Sequence, residues 1–201
     1  MLFRSDTGVA TTADTAFVTV TVTATAPSAA TLESTPAART ITNTAAVSGP
    51  NGDPTPANNS ASAVTNMVYG KLTKEVRNIT KNTAFGTSGG GLPGEVLEYC
   101  IDFENLGGAA LPNFVLVDHV PGNTNALITA YDADEPSAAT GFGVKLTRGA
   151  VTSYLSSSAA DADGGRLTTT GGTFARGTMT VTLGTLAVGE SGRACFQTTI
   201  R

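Results

Sequence analysis

Residues 91–121, GLPGEVLEYCIDFENLGGAALPNFVLVDHVP, decide the fold. From Glu95 to Glu104 the residues alternate. Leu97, Tyr99, Ile101 and Phe103 fall on one face, and Glu98, Cys100, Asp102 and Glu104 on the other. A period of two marks a half-buried antiparallel strand. Pro93-Gly94 before it, and Asn105-Leu106-Gly107-Gly108 after it, are turn chemistry, because Asn and Gly tolerate positive φ. A second strand is expected over 114–120, stopped by Pro121-Gly122.

Outward from this stretch the same language recurs. Residues 16–25, AFVTVTVTAT, alternate β-branched Val and Thr and predict a strand. Residues 27–36 read as a loop, 40–47 as a strand, 49–59 as turns dense in Gly, Pro, Asn and Asp, and 60–66 as a short strand. This part of the chain has few large apolar residues, too few for a core of its own. Beyond it, strands are expected over 69–77, 126–131, 143–148, 151–155, 166–170, 177–183 and 193–200, with a hairpin around Arg148-Gly149. About eight strands after residue 68, at this spacing, predict an all-β sandwich.

Composition narrows the function classes. The chain has 201 residues and a net charge of −4, and its few basic residues are scattered, which argues against a nucleic-acid footprint. No apolar run approaches the roughly 20 residues that span a bilayer. With one His and no Trp, a site built on several histidines is excluded. No nucleophile motif accompanies Asp118-His119, so the chain reads as a non-enzyme. Glu95, Glu98, Asp102 and Glu104 resemble paired catalytic acids only superficially. Glu98, Asp102 and Glu104 share one strand face, which reads as solvated, whereas glycosidases set two acids across a cleft.

Order and spacing then bring in a family. TITNTAAVSGPNGDPTPANNSASA resembles the closing segment of the surface-protein repeat known as domain of unknown function eleven. Lys74-Glu75-Val76, PGEVLEYCIDFEN, VLVDHVPGNT and LGTLAVGESGRACF resemble, in order, the successive strands and final turn of a further copy. The resemblance covers residues 39–66 and 70–201. It implies Ig-like antiparallel sandwiches repeated in tandem in large secreted or envelope-anchored proteins. On this reading, 1–15 is a disordered or artefactual start, and 16–68 holds the closing strands of a partial upstream repeat. Residues 69–201 form an Ig-like sandwich that lacks a closing segment of its own. Met1 to Ser5 can be encoded by ATG CTC TTC CGA TCT, which ends like a common sequencing-adapter tail, so the export signal is expected upstream.

The expected function is a structural repeat of an extracellular or cell-envelope protein: stalk, spacer or adhesin segment. Its partners would be neighbouring repeats and other cell-surface proteins. The alternative is a fibre subunit assembled by strand addition between chains, because strands without partners are templates for pairing. A carbohydrate-binding domain is a third reading, disfavoured because aromatics make up only 6% of the chain.

Four sets of residues are candidate sites. Cys100 and Cys195 both fall on the outward faces of their strands, and an even count in an exported β protein favours a disulfide between adjacent strands. Asp132 with Asp134, and Asp161 with Asp163, are spaced like the start of a calcium loop, with solvated acidic loops as the alternative; Asn51-Gly52-Asp53 is a weaker candidate. No other cofactor is expected. Lys74 and Asn43 suggest a Lys–Asn cross-link, but each belongs to a different copy, and a solvated Lys is the simpler reading. Asn58-Asn59-Ser60 and Asn78-Ile79-Thr80 fit the N-glycosylation pattern.

Overall fold

A computed structural model describes residues 21–46, 55–137, 139–158 and 162–201. The chain divides into two compact units between Met67 and Val68.

In the first unit, residues 21–28 form no regular element. The described part of the strand expected over 16–25 is therefore not a strand, and 16–20 lie outside the described residues. Val/Thr alternation is a preference for a pleated, half-buried surface and is expressed only where a partner strand supplies one. The loop expected over 27–36 instead holds a one-and-a-half-turn helix, α1 (Ala29–Ser34), whose N-cap Ser28 accepts from the Thr31 N–H at 3.3 Å. A 3-10 turn, Pro36–Arg39, follows, and Arg39 donates back to the Leu32 carbonyl at 2.9 Å. β1 (Thr40–Ala46) and β2 (Ser60–Asn66) then pair antiparallel, from Thr40 opposite Asn66 to Ala46 opposite Ser60. Most of this ribbon is exposed, and Leu32 is the one buried apolar side chain among the unit's described residues.

The second unit is an all-β sandwich. Its strands are β3 (Gly70–Asn78), β4 (Val96–Asn105), β5 (Leu111–His119), β6 (Thr124–Ala126), β7 (Phe142–Arg148), β8 (Val151–Ser156), β9 (Gly165–Leu167), β10 (Thr178–Leu186) and β11 (Ser191–Ile200). One sheet runs β3-β4-β11-β7-β8, with β6 added beside the end of β11; the other runs β5-β10-β9. All pairings are antiparallel. Between the sheets, Ile101, Phe103, Val144, Leu155, Ala194 and Phe196 meet Leu116, Leu167, Met179, Val181, Leu183 and Leu186 in one buried cluster.

The deciding stretch explains the crossover. Leu92 to Glu95 closes a tight turn with Gly94 at φ +87, and the Glu95 N–H donates to the Leu92 carbonyl at 3.1 Å. That conformation asks for glycine at the third position. β4 then buries Leu97, Ile101 and Phe103 on the alternation that the sequence shows. At its end the buried Asn105 turns the chain into the opposite sheet. Its side-chain N–H groups donate to the Ala109 carbonyl (2.9 Å) and the Leu186 carbonyl (3.0 Å), and its Oδ1 accepts from the Gly107 N–H (2.9 Å).

The strand expected over 126–131 is reduced to its start. β6 ends at Ala126, and residues 128–134 are turn. The Leu127 N–H still reaches the Gln197 carbonyl, after which the chain folds over the outer face of the larger sheet, with the Tyr131 N–H donating to Phe142. The hairpin at Arg148-Gly149 forms, with Gly149 at φ +58.

Candidate functional site

The outer face of the larger sheet carries most of the unit's polar chemistry. Register places Glu75, Cys100, Cys195, Lys145 and Tyr154 in one row across β3, β4, β11, β7 and β8. One row away lie Arg77, Glu98 and Gln197, and on the other side Thr73, Asp102, Arg193, Thr147 and Thr152.

At the centre, Cys100 and Cys195 form a disulfide, their Cα atoms 4.1 Å apart across the β4–β11 ladder. The expected pairing is present, but its surroundings differ from the expectation. Both cysteines are buried, and they form a second cluster with Tyr131, against which Phe85, Phe142 and Tyr154 pack. The outward face is therefore not uniformly solvated. Glu98, read as one of a row of exposed acids, is 4% exposed.

A buried carboxylate must be matched by donors, and Glu98 is. Arg77 donates to Oε2 through Nε (2.7 Å) and Nη2 (2.5 Å), the Tyr131 hydroxyl donates to Oε1 (2.9 Å), and Gln197 donates to Oε1 (3.3 Å). Burial raises the Tyr131 pKa well above the usual phenol value, and the Glu98 charge adds to the rise. Tyr131 is thus placed as a hydrogen-bond donor to this carboxylate.

Beside it, Arg193 pairs with both oxygens of Asp102 (Nε–Oδ1 2.6 Å, Nη2–Oδ2 2.7 Å) and reaches Glu75 at 2.6 Å. The Asp102 bond, followed by its charge and that of Glu75, raises the Arg193 pKa further against the opposing effect of burial. The Phe85 ring lies 4.7 Å from the Arg77 guanidinium carbon and 4.9 Å from that of Arg193. A cation over an aromatic face is attracted by the ring's quadrupole. Phe85 sits in the loop 79–92, whose feet are tied by the carboxylate of Glu95. Its Oε2 accepts from the Leu92 N–H (2.9 Å) and Asn78 (2.8 Å), and its Oε1 pairs with Lys81 (3.1 Å). The Leu92 bond leads in lowering the Glu95 pKa. Gly91 passes so close to Glu95 and Asn78 that a side chain there would collide with both.

The rest of the face is an open groove of 460 Å³, lined by Lys71, Thr73, Asp102, Glu104, Thr147 and Arg193 among others. Two of its charged groups, Asp102 and Arg193, are paired with each other.

Several of the remaining candidates hold loops and strands in place. Asp132 accepts from the Gly141 and Phe142 N–H groups at 2.8 Å each, and Asp163 from the Ser156 N–H (2.5 Å) and the Gly165 N–H (2.8 Å). Both carboxylates therefore serve as loop anchors. Asp134 lies in the turn after Tyr131, while Asp161 and the 51–53 turn lie outside the described residues. Among the described residues no three His, Cys, Asp or Glu side chains gather as a metal ion would require. Lys74 is not simply solvated: it pairs with Asp118 at 2.6 Å and lies 5.3 Å from the Tyr99 ring centre. Asp118 and His119 do not act together, because neighbouring strand residues face opposite ways. His119 instead accepts from the Thr173 N–H at 3.4 Å. Asn78 is buried and fully engaged in its loop, whereas Asn58 is exposed.

Sequence reasoning missed Phe85, Tyr131 and the Arg77–Glu98 pair. The available signal was a pair of large aromatics in loops otherwise made of small and polar residues. Among the described residues no helix is long and apolar enough to cross a membrane. Set against protein-family models, curated proteins and solved structures, the chain finds no match.

Proposed function

We propose that this chain is a non-catalytic structural segment of an exported protein, a stalk, spacer or adhesin module of the kind built from tandem Ig-like repeats. One observation carries the reading. The second unit is entered beside Asn105, where Gly70 pairs, and its last strand finishes beside Val96, where Thr199 pairs. These are opposite ends of β4, separated by nine residues or about 30 Å. A unit entered at one end and left at the other can be strung in series. The disulfide supports the exported setting, since such bonds persist where the medium is oxidising. The test is to apply an antibody against the 68–201 unit to intact and to lysed cells that make the protein naturally. Surface labelling of intact cells is expected; labelling only after lysis overturns the reading.

A second reading is assembly by strand addition, and the β1–β2 ribbon favours it. Among the described residues β1 and β2 make a two-stranded sheet, an arrangement that is marginal in water on its own, and β2 is exposed along its whole length. Sedimentation velocity over a concentration series tests this. A species that grows with concentration supports it, and a single unchanging monomer rules it out.

A further inference from the structure

The disulfide is covered from two sides by unequal devices. On one side Tyr131 is itself buried, and its hydroxyl ends on a buried carboxylate that Arg77 also holds. On the other side stands Phe85, half-buried, at the crest of the loop 79–92. That loop is firmly tied at its feet. The Thr83 N–H donates to the Asn78 carbonyl at 3.0 Å, and the Asn78 side chain donates to the Gly90 carbonyl at 3.1 Å. At the crest, the backbone meets β3 in one isolated bridge, with Gly86 and Val76 exchanging hydrogen bonds of 3.0 and 2.8 Å. The ring itself is held by two guanidiniums, each of which is also paired with a carboxylate, Arg77 with Glu98 and Arg193 with Asp102.

We propose that the Phe85 crest is a lid over the Cys100–Cys195 bond, and that its local opening, not unfolding of the sandwich, admits thiol reductants to the buried disulfide. Sub-global openings of this kind are drawn from segments held by few contacts. Opening needs the Gly86–Val76 bridge to break and the ring to leave its two cations, while the Asn78–Glu95 anchors act as hinges. The Tyr131 side stays shut. The chemistry is ordinary exchange. The reductant's thiolate bonds to one sulfur, and the S–S electron pair leaves on the other cysteine, which takes a proton. The second thiolate of a dithiol then attacks the reductant's sulfur in this mixed disulfide, and the bonded protein cysteine leaves and takes a proton, giving two protein thiols and a cyclic oxidised dithiol. The lid makes the redox state of this unit responsive under conditions where its sandwich remains folded.

The experiment is the rate of reduction of the whole oxidised chain by dithiothreitol in native buffer, read by alkylation and mass spectrometry. Three variants are compared. Phe85→Ala removes the lid's ring. Tyr131→Phe loosens the opposite cover. Met179→Ala destabilises the far sheet without touching the cap, and the global stability of each is measured in parallel by urea unfolding. The expected result is an acceleration of about tenfold or more for Phe85→Ala. The other two variants should remain within about threefold of the parent once corrected for global stability. Amide exchange at Gly86 should rise with the Phe85→Ala reduction rate. Equal acceleration by Met179→Ala at matched stability would mean that the bond is reached only by global unfolding. Greater acceleration by Tyr131→Phe would place the entrance on the other side. Either result, or an unchanged rate for Phe85→Ala, overturns the proposal.

Discussion

The Tyr131 hydroxyl donates to Glu98 at 2.9 Å, and both side chains are buried. The ordinary phenol value is 10.0, and burial, aided by the Glu98 charge, holds Tyr131 above it. A group whose pKa is raised on folding contributes stability in full below its unfolded value and loses it as pH climbs toward the folded one. Stability should therefore fall above about pH 10, with Tyr99 adding an effect of the same sign, also led by burial. Tyr131→Phe should cost about 1–3 kcal/mol near neutral pH, since it takes a donor from a buried carboxylate, and should flatten the alkaline decline. Urea unfolding at pH 8 and pH 11 checks both; parallel declines in parent and variant would contradict the assignment.

Removing the disulfide should be the costliest change on this face. Cys100→Ala with Cys195→Ala frees a stretch with a sequence separation of 95 in the unfolded chain, worth about 4–5 kcal/mol in the chain-entropy treatment. The double variant should melt well below the oxidised parent, and thiol reductant should lower the parent's melting temperature but leave the variant's unchanged.

Acid sensitivity should come from two loop carboxylates. Hydrogen bonds lower the pKa values of both Glu95 and Glu190 below the ordinary 4.5, led by the Leu92 N–H for Glu95 and by the Arg148 side chain for Glu190. A depressed carboxyl contributes its stability above the unfolded value and loses it as pH falls through the folded one. Melting temperature should hold above about pH 5 and decline below about 4.5, and Glu190→Gln should make that decline shallower. A slope unchanged in the variant would remove Glu190 from the account.

Asn105→Ala should be as damaging as a core truncation, although it deletes only an amide. It strands the carbonyls of Ala109 and Leu186 and the Gly107 N–H at the corner where β4 crosses into the opposite sheet. The loss should be about 2–4 kcal/mol in chemical denaturation. Asn105→Asp restores the acceptor but neither donor, and should rescue little of it.

The sandwich was legible in the sequence because Leu97, Ile101 and Phe103 announce a buried face by period alone, and turn residues bound nearly every strand. The cysteine pairing was legible for the same reason, as parity places both thiols on corresponding outward faces. What parity does not encode is what lies above that face. Glu98 and Cys100 read as exposed because alternation describes one sheet and its core, while the covering side chains, Phe85 and Tyr131, come from loops whose course no periodicity sets. The opposite error occurred at residues 21–25, the described part of the strand expected over 16–25. There the pattern is strong, but residues 21–25 make no strand, since β propensity requires a partner to act upon.

The register of β4 has a mechanical consequence. With Gly70 opposite Asn105 and Thr199 opposite Val96, tension between the two ends of this unit loads the β3–β4 and β4–β11 ladders in shear. Their hydrogen bonds then share the force along each strand instead of parting one at a time. Because the Cys100–Cys195 link joins β4 directly to β11, the stretch between them, a sequence separation of 95, lies outside the loaded path. Roughly 320 Å of contour length stays out of reach of the pull for as long as the bond is oxidised. The same unit should therefore be a short, stiff link in an oxidising medium and a long, extensible one in a reducing medium.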